Sequence, residues 1–376
     1  MRELTVKKQT GFTMIELMVA LGITLVALAA TMLAFKDATN TNQSVTLKSD
    51  LSDNLRAGVN LLEQDLIQAG TGIPTGGIPV PYTPGPANCL GSGGAPINRP
   101  NLTGGLTFPV CNVSLNAVEP GWELGAPLTS PDSTNAGVNT DLITMLYVDN
   151  TLALNARMIN EPANGANPGC PAGSITNNGQ TVTFDSTCIL FSPTGVQINP
   201  GDLIMFSNAQ GNAIEEVTAV AGQVLTFAGG DGLDLNGRTD PQGTMKQLEN
   251  TNVSGTPNGT FPPTTATRIW MVSYYLDNIS APPNTRLIRR VNWNPGQPVG
   301  ETIENLQFKY NFVDGVTNPS GQPTIPTGES ESEIRSVDVT VGARSTSAWL
   351  QNKTYLRSNF MTQVSLRSMA YVNRYQ

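Results

Sequence analysis

Apolar residues crowd into one stretch near the start of the chain, then thin into a stripe. Across residues 12–35 nearly every position is apolar, and Glu16 is the sole charge. A helix of about 20 such residues spans the hydrocarbon core of a bilayer. Across residues 36–69 there is no proline, and Gly58 is the sole glycine. Leu51, Leu55, Leu62 and Leu66 recur at helical spacing, with Val59 and Ala69 beside them. Asp50, Asp53, Arg56, Glu63 and Asp65 are assigned to the polar face. The spacing predicts a single helix over 12–69, ended by Gly70, Gly72 and Pro74. Its first half is apolar all round. Its second half is amphipathic and packs on a sheet.

Beyond the helix the period changes. Gly, Pro and Asn dominate 71–139, which predicts irregular structure. Strands are predicted at 141–148, 182–191, 202–207, 213–220 and 223–227. Further strands are predicted at 267–276, 286–292, 300–312, 334–343 and 360–371. The pair 267–276 and 286–292 reads as a hairpin across Pro282, Pro283 and Asn284. Residues 250–265 and 314–331 read as linkers. The class is α+β: a long N-terminal helix, half transmembrane and half amphipathic, on a mostly antiparallel sheet domain.

Charge narrows the functions. Lys and Arg total 21 against 29 Asp and Glu, a formal charge of −8. Removing Arg2, Lys7, Lys8 and Glu3 leaves the rest more acidic still. General nucleic-acid binding needs the opposite balance. The chain has no histidine. That removes Ser-His-Asp and Cys-His catalysis and His-ligated zinc. The sequence is read as non-enzymatic and calls for no cofactor. Cys89, Cys111, Cys170 and Cys188 form no CxxC, and an even number outside the membrane points to two disulfides. Three connectivities are possible. Cys89–Cys111 with Cys170–Cys188 is the expected one, because each bridge closes a loop between sequence neighbours.

The run Gly11, Phe12, Thr13 and Glu16, within GFTMIELMVA, resembles the class III signal peptide of type IV prepilins and pseudopilins. An ordinary secretory signal is cut after its apolar region, whereas this resemblance implies a cut before it. It implies that a prepilin peptidase removes leader 1–11 by cutting between Gly11 and Phe12, then methylates the new Phe12 amine. Later segments are similar to PilW-type minor pilins: NLLEQDLIQAG at 60–70, PGDLIMFS at 200–207, RLIRR at 286–290 and ENLQFKY at 304–310. IRSVDVTVGARS at 334–345 and FMTQVSLRS at 360–368 continue the series in order. The Gly/Pro-rich stretch around Cys89 and Cys111 and the 250–265 linker match no family pattern.

Glu16 has a chemistry of its own. A carboxylate in lipid costs about 2.5–3.5 kcal/mol on insertion scales, so it marks function. It lies four residues after Phe12, one helical turn along. A free Phe12 amine has an unperturbed pKa of about 7.7–8.0 and is largely cationic. Glu16 can neutralise that ammonium or a neighbouring subunit's; the residues leave both open, and the family resemblance favours the second.

Other constellations are weaker. Asp231, Asp234, Asn236 and Asp240 form a calcium candidate, but Arg238 falls inside the run and the spacing is not that of an EF-hand. An ordinary turn is the preferred reading. Glu215 with Glu216, and the carboxylates of 329–333, read as exposed strand ends rather than a glycosidase pair. Arg286, Arg289 and Arg290 read as alternation on a strand edge. Trp270, Tyr274 and Tyr275 read as core and sheet pairs.

The resemblance implies a domain plan of leader 1–11, membrane half 12–35, amphipathic half 36–70 and β-rich domain 71–376. The expected protein is a single-pass inner-membrane minor pilin with a periplasmic domain, later part of a pilus at the cell surface. It primes pilus assembly, sits at the tip, or both. Implied partners are other minor pilins and the major pilin through N-terminal helices, the prepilin peptidase, and the inner-membrane assembly platform. The alternatives are a J-type pseudopilin of type II secretion and a tip-displayed, adhesin-like binding module. An anchored hydrolase is disfavoured, since no nucleophile motif is present.

Overall fold

The computed structural model describes residues 11–81, 114–125, 139–149, 151, 158–159, 174–176, 179–184, 197–231, 235–236, 243–277, 285–292, 294–312, 321–349 and 353–372. Cys89, Cys111, Cys170, Cys188, Asp234 and Asp240 lie outside the described residues.

One helix, α1 (Met14–Gln68), runs for 55 residues, about 82 Å at a rise of about 1.5 Å per residue. It starts two residues later than the spacing predicts. Thr13 is the N-cap, with extended backbone at φ −80° and ψ 150°, so Phe12 lies outside the helix. At the other end Ala69 caps α1, and Gly70 and Gly72 follow at φ 80° and 72°. Those left-handed angles suit residues without a Cβ.

The predicted stripe is the packing face. Leu51, Leu55, Val59, Leu62, Leu66 and Ala69 are buried in one core with residues of the sheets below. Gly58 allows the close approach: a Cβ there would sit 3.0 Å from Leu287 Cδ2 and 3.5 Å from the Val299 carbonyl oxygen. Asp65 departs from the polar-face reading. It is buried at 4% exposure, because sheet residues supply it with partners.

Ten labelled strands, with the two-residue Met158–Ile159 paired to Thr264–Thr265, build the two main sheets among the described residues: β1 (Val118–Gly121), β2 (Leu142–Val148), β3 (Leu203–Asn208), β4 (Gly211–Glu216) and β5 (Thr264–Asp277). They continue as β6 (Arg286–Val291), β7 (Gln297–Glu301), β8 (Ile303–Phe312), β9 (Ile334–Ala348) and β10 (Tyr355–Ser365). Every ladder among the described residues is antiparallel. The larger sheet runs β7–β6–β5–β2–β1, with β3 on the first half of β5 and β4 on β3. The second sheet is β8–β9–β10, and α1 packs against β9, β10 and β7. The chain is thus a long helix followed by a mostly antiparallel sheet domain, an α+β fold consistent with a pilin-like plan. A satellite sheet of Ser174–Thr176, Thr181–Thr183, Val224–Thr226 and Ala219–Ala221 shares a separate core with Phe206 and Phe227, whose rings meet edge to face at 5.4 Å.

Several boundaries move, each for a local reason. The single strand expected at 300–312 is two, β7 and β8, in different sheets. Thr302 sits between them at φ 55° and turns the chain. The strand expected at 213–220 divides into β4 and Ala219–Ala221. The C-terminal strand starts earlier and stops at Ser365, and a short helix, α2 (Arg367–Val372), replaces its predicted end. Within 71–139, Ile78–Pro79 pairs with Ser114–Leu115, and β1 joins the main sheet.

Glu215 and Glu216 are buried, not exposed strand ends. Glu215 accepts the Met245 N–H at 3.2 Å, and burial pushes its carboxyl well above the usual carboxylate range. The arginine cluster is not on a sheet edge, because β6 lies between β5 and β7. Arg286 pairs with Asp277 at 3.2 Å, Arg290 Nε donates to the Asn294 carbonyl at 2.9 Å, and Arg289 reaches Asp65.

Candidate functional site

From Met14 to Thr39 the helix stands clear of the body, with every residue exposed. Leu17, Leu21, Leu25, Leu28 and Phe35 all face solvent there, a cost no folded protein in water would accept without a covering phase. This is the one helix among the described residues long and apolar enough to cross a membrane. The bare segment extends roughly 39 Å, more than the roughly 30 Å of bilayer hydrocarbon. Its few hydroxyls are satisfied inside the helix. Thr24 Oγ1 donates to the Leu21 carbonyl at 2.9 Å and Thr31 Oγ1 to the Leu28 carbonyl at 2.8 Å, which removes the penalty for a bare polar group in lipid. The body takes hold where Trp349 Nε1 donates to the Asn40 carbonyl at 3.3 Å and Leu47 becomes buried.

At the tip, Thr13 and Glu16 form a capping box. The Thr13 N–H donates to Glu16 Oε2 at 3.0 Å, and the Thr13 hydroxyl donates to the same oxygen at 2.9 Å. In return the Glu16 N–H reaches Thr13 Oγ1 at 3.4 Å. A capping box satisfies amides that a helix start otherwise leaves bare. The first backbone bond of the helix runs from the Leu17 N–H to the Thr13 carbonyl at 3.2 Å. Gly11 and Phe12 precede it. Phe12 is 87% exposed, and a Cβ on Gly11 would meet nothing within 4 Å. The carboxylate of Glu16 is thus turned to Thr13, with one oxygen engaged. The Thr-x-x-Glu spacing that signals this box is present in the sequence and places the helix start at Met14.

The far end of α1 holds a second polar constellation. Asp65 accepts from four groups of the main sheet: Tyr147 OH at 2.9 Å, Tyr274 OH at 2.6 Å, and Arg289 Nε and Nη2 at 2.7 and 3.0 Å. The two-pronged arginine contact fixes orientation as well as charge. Burial first, then the Asp65 carboxylate, pushes both phenols far above their ordinary range. The constellation locks the helix to the sheet, and no spacing rule links residues so far apart in sequence.

Of the calcium candidates, the two described residues, Asp231 and Asn236, have local partners. Asp231 Oδ2 and Oδ1 accept the Leu235 and Asn236 N–H groups at 2.8 and 3.0 Å. Asn236 binds the Glu216 backbone through both ends of its amide. These are the bonds of a turn. Among the described residues no group of three or more carboxylates or other ligands gathers around a cation position.

Comparison with known proteins adds one match. The family model for the prokaryotic N-terminal methylation motif matches residues 6–32, which include Gly11, Phe12, Thr13 and Glu16. Neither the curated proteins nor the solved structures give a match. A free apolar helix with this motif at its tip supports a type IV pilin-like protein, a pilin or pseudopilin that engages a peptidase and assembly machinery.

Proposed function

We propose that this chain is a minor pilin of a type IV pilus system. A peptidase cuts it between Gly11 and Phe12 and methylates the Phe12 amine. The bare half of α1 holds it in the inner membrane, with the sheet domain on the periplasmic side. It then joins other minor pilins and the major pilin through helix packing, primes assembly on the membrane platform, and stays near the tip. The observation that carries this reading is the uncovered apolar span of α1, with the methylation motif at its end. Glu16 supplies the assembly rule: its carboxylate takes the ammonium of a neighbouring subunit, which offsets the cost of both charges in lipid. The ordered downstream likeness to PilW-type minor pilins supports the minor-pilin assignment.

The test is loss and rescue in the parent cell. Deleting the gene should abolish or sharply reduce surface filaments, and the wild-type chain should restore them and copurify with other pilin-like subunits. Normal filaments in the deletion strain, with intact protein secretion, would contradict the priming role. Lost secretion with normal pili would identify a pseudopilin instead.

A further inference from the structure

We propose that Thr13 is the positioning residue for processing: its cap starts the helix at Met14 and so holds the Gly11–Phe12 peptide outside it and open to attack. The inference rests on the proposed cut at that bond.

Among the described residues, nothing but the cap fixes the start of this helix. Phe12 and Met14 are 87% and 85% exposed, so no packing against the body holds them. Downstream of the boundary the apolar sequence favours helix, and upstream Lys7, Lys8 and Gln9 are good helix formers with Gly11 between. At a membrane surface, bare N–H groups are costly, and an uncapped helix gains by adding a turn upstream. Such a turn would draw the Gly11 carbonyl into a bond with the Ile15 N–H. Thr13 prevents this. Its extended backbone breaks the helical run, and its hydroxyl and N–H satisfy the first turn through Glu16. Hydrogen bonding then begins at the Thr13 carbonyl, two residues past the Gly11 carbonyl.

That placement suits the chemistry. Water adds to the Gly11 carbonyl carbon, the C–N bond breaks, and the Phe12 nitrogen leaves as an amine after taking a proton. The carbonyl oxygen must be free for the peptidase to polarise it as charge develops. A helical Gly11 would offer an oxygen already engaged. Gly11 helps in the same direction, since glycine is the poorest helix former after proline. The capping box also divides the labour of Glu16. One oxygen serves the cap, where a neutral amide can replace it, while assembly needs the charge.

The experiment uses the full chain in membranes with its peptidase, and compares the initial cleavage rates of wild type, Thr13→Val, Thr13→Ser and Glu16→Gln. Hydrogen exchange at the Ile15 amide, which the Gly11 carbonyl would take in a longer helix, reports where the helix starts. Thr13→Val should be cut about fivefold more slowly, with the Ile15 amide becoming protected. Thr13→Ser and Glu16→Gln keep the cap and should be cut within twofold of wild type. Thr13→Val cut at the wild-type rate with unchanged exchange would overturn the role of Thr13 while leaving processing intact. A wild-type chain that is not cut at Gly11–Phe12 would overturn both.

Discussion

Arg289 grips Asp65 through two parallel hydrogen bonds, Nε to Oδ2 at 2.7 Å and Nη2 to Oδ1 at 3.0 Å. The pair joins the last turn of the long helix to the main sheet. Removing one partner of a buried ion pair strands the other charge and costs about 3–5 kcal/mol. Asp65→Ala should therefore lower the unfolding midpoint of the detergent-solubilised protein sharply, and Asp65→Ala with Arg289→Met should cost less than the two single changes added together. Tyr147 and Tyr274 add a pH signature. Their folded pKa values lie above the unfolded value of about 10, so their contribution is complete below that pH and fades as pH rises beyond it. Denaturant titrations from pH 8 to 12 should show stability falling above about pH 10, less steeply in Tyr147→Phe.

Glu215 carries the opposite lesson for neutral pH. Its folded pKa is raised by burial, so its favourable contribution is present below the unfolded value of about 4.3 and is lost as pH rises toward the folded one. Glu215→Gln keeps an oxygen for the Met245 N–H and removes the titration. At pH 7 the variant should be as stable as wild type or more so, and its melting temperature should vary less between pH 4 and 7. A clear loss of stability at pH 7 would show that the charged form has a partner that matters.

Gly58 lies at a close approach of α1 to the sheet. Alanine gains about 1 kcal/mol in helix propensity but presses on a Leu287 methyl that can turn aside. Gly58→Ala should thus be near neutral in thermal unfolding. Valine also crowds the Val299 backbone, and overpacking of that kind costs about 1–3 kcal/mol. Gly58→Val should melt clearly lower.

Glu16→Gln separates the two jobs of its side chain. The amide keeps the bonds to Thr13 but cannot pair with an ammonium. The variant should be processed and inserted normally while its incorporation into filaments, measured by immunoblot of sheared pili, drops at least tenfold. Wild-type incorporation would remove charge pairing from the account.

The long helix was legible because its signals are local. A continuous apolar run and a leucine stripe need no partner to be read, and Leu51 to Ala69 pack as their spacing predicts. The helix start was legible too, in Thr13 and Glu16, but only when the span is read for caps as well as for hydropathy. The buried acids were not. Asp65, Glu215 and Glu216 look like surface charges until the tyrosines, arginine and amides that meet them are placed by the sheet. The break at Thr302 was hidden for a similar reason: a positive φ at a threonine is imposed by the two sheets it joins, not by its own preference.

Intact and N-terminal peptide mass spectrometry of the protein from its native membrane tests the central claim most directly. The account predicts a chain that begins at Phe12 and carries one added methyl group on its terminal nitrogen. A chain that still begins at Met1, or that has lost the apolar span altogether, would contradict it.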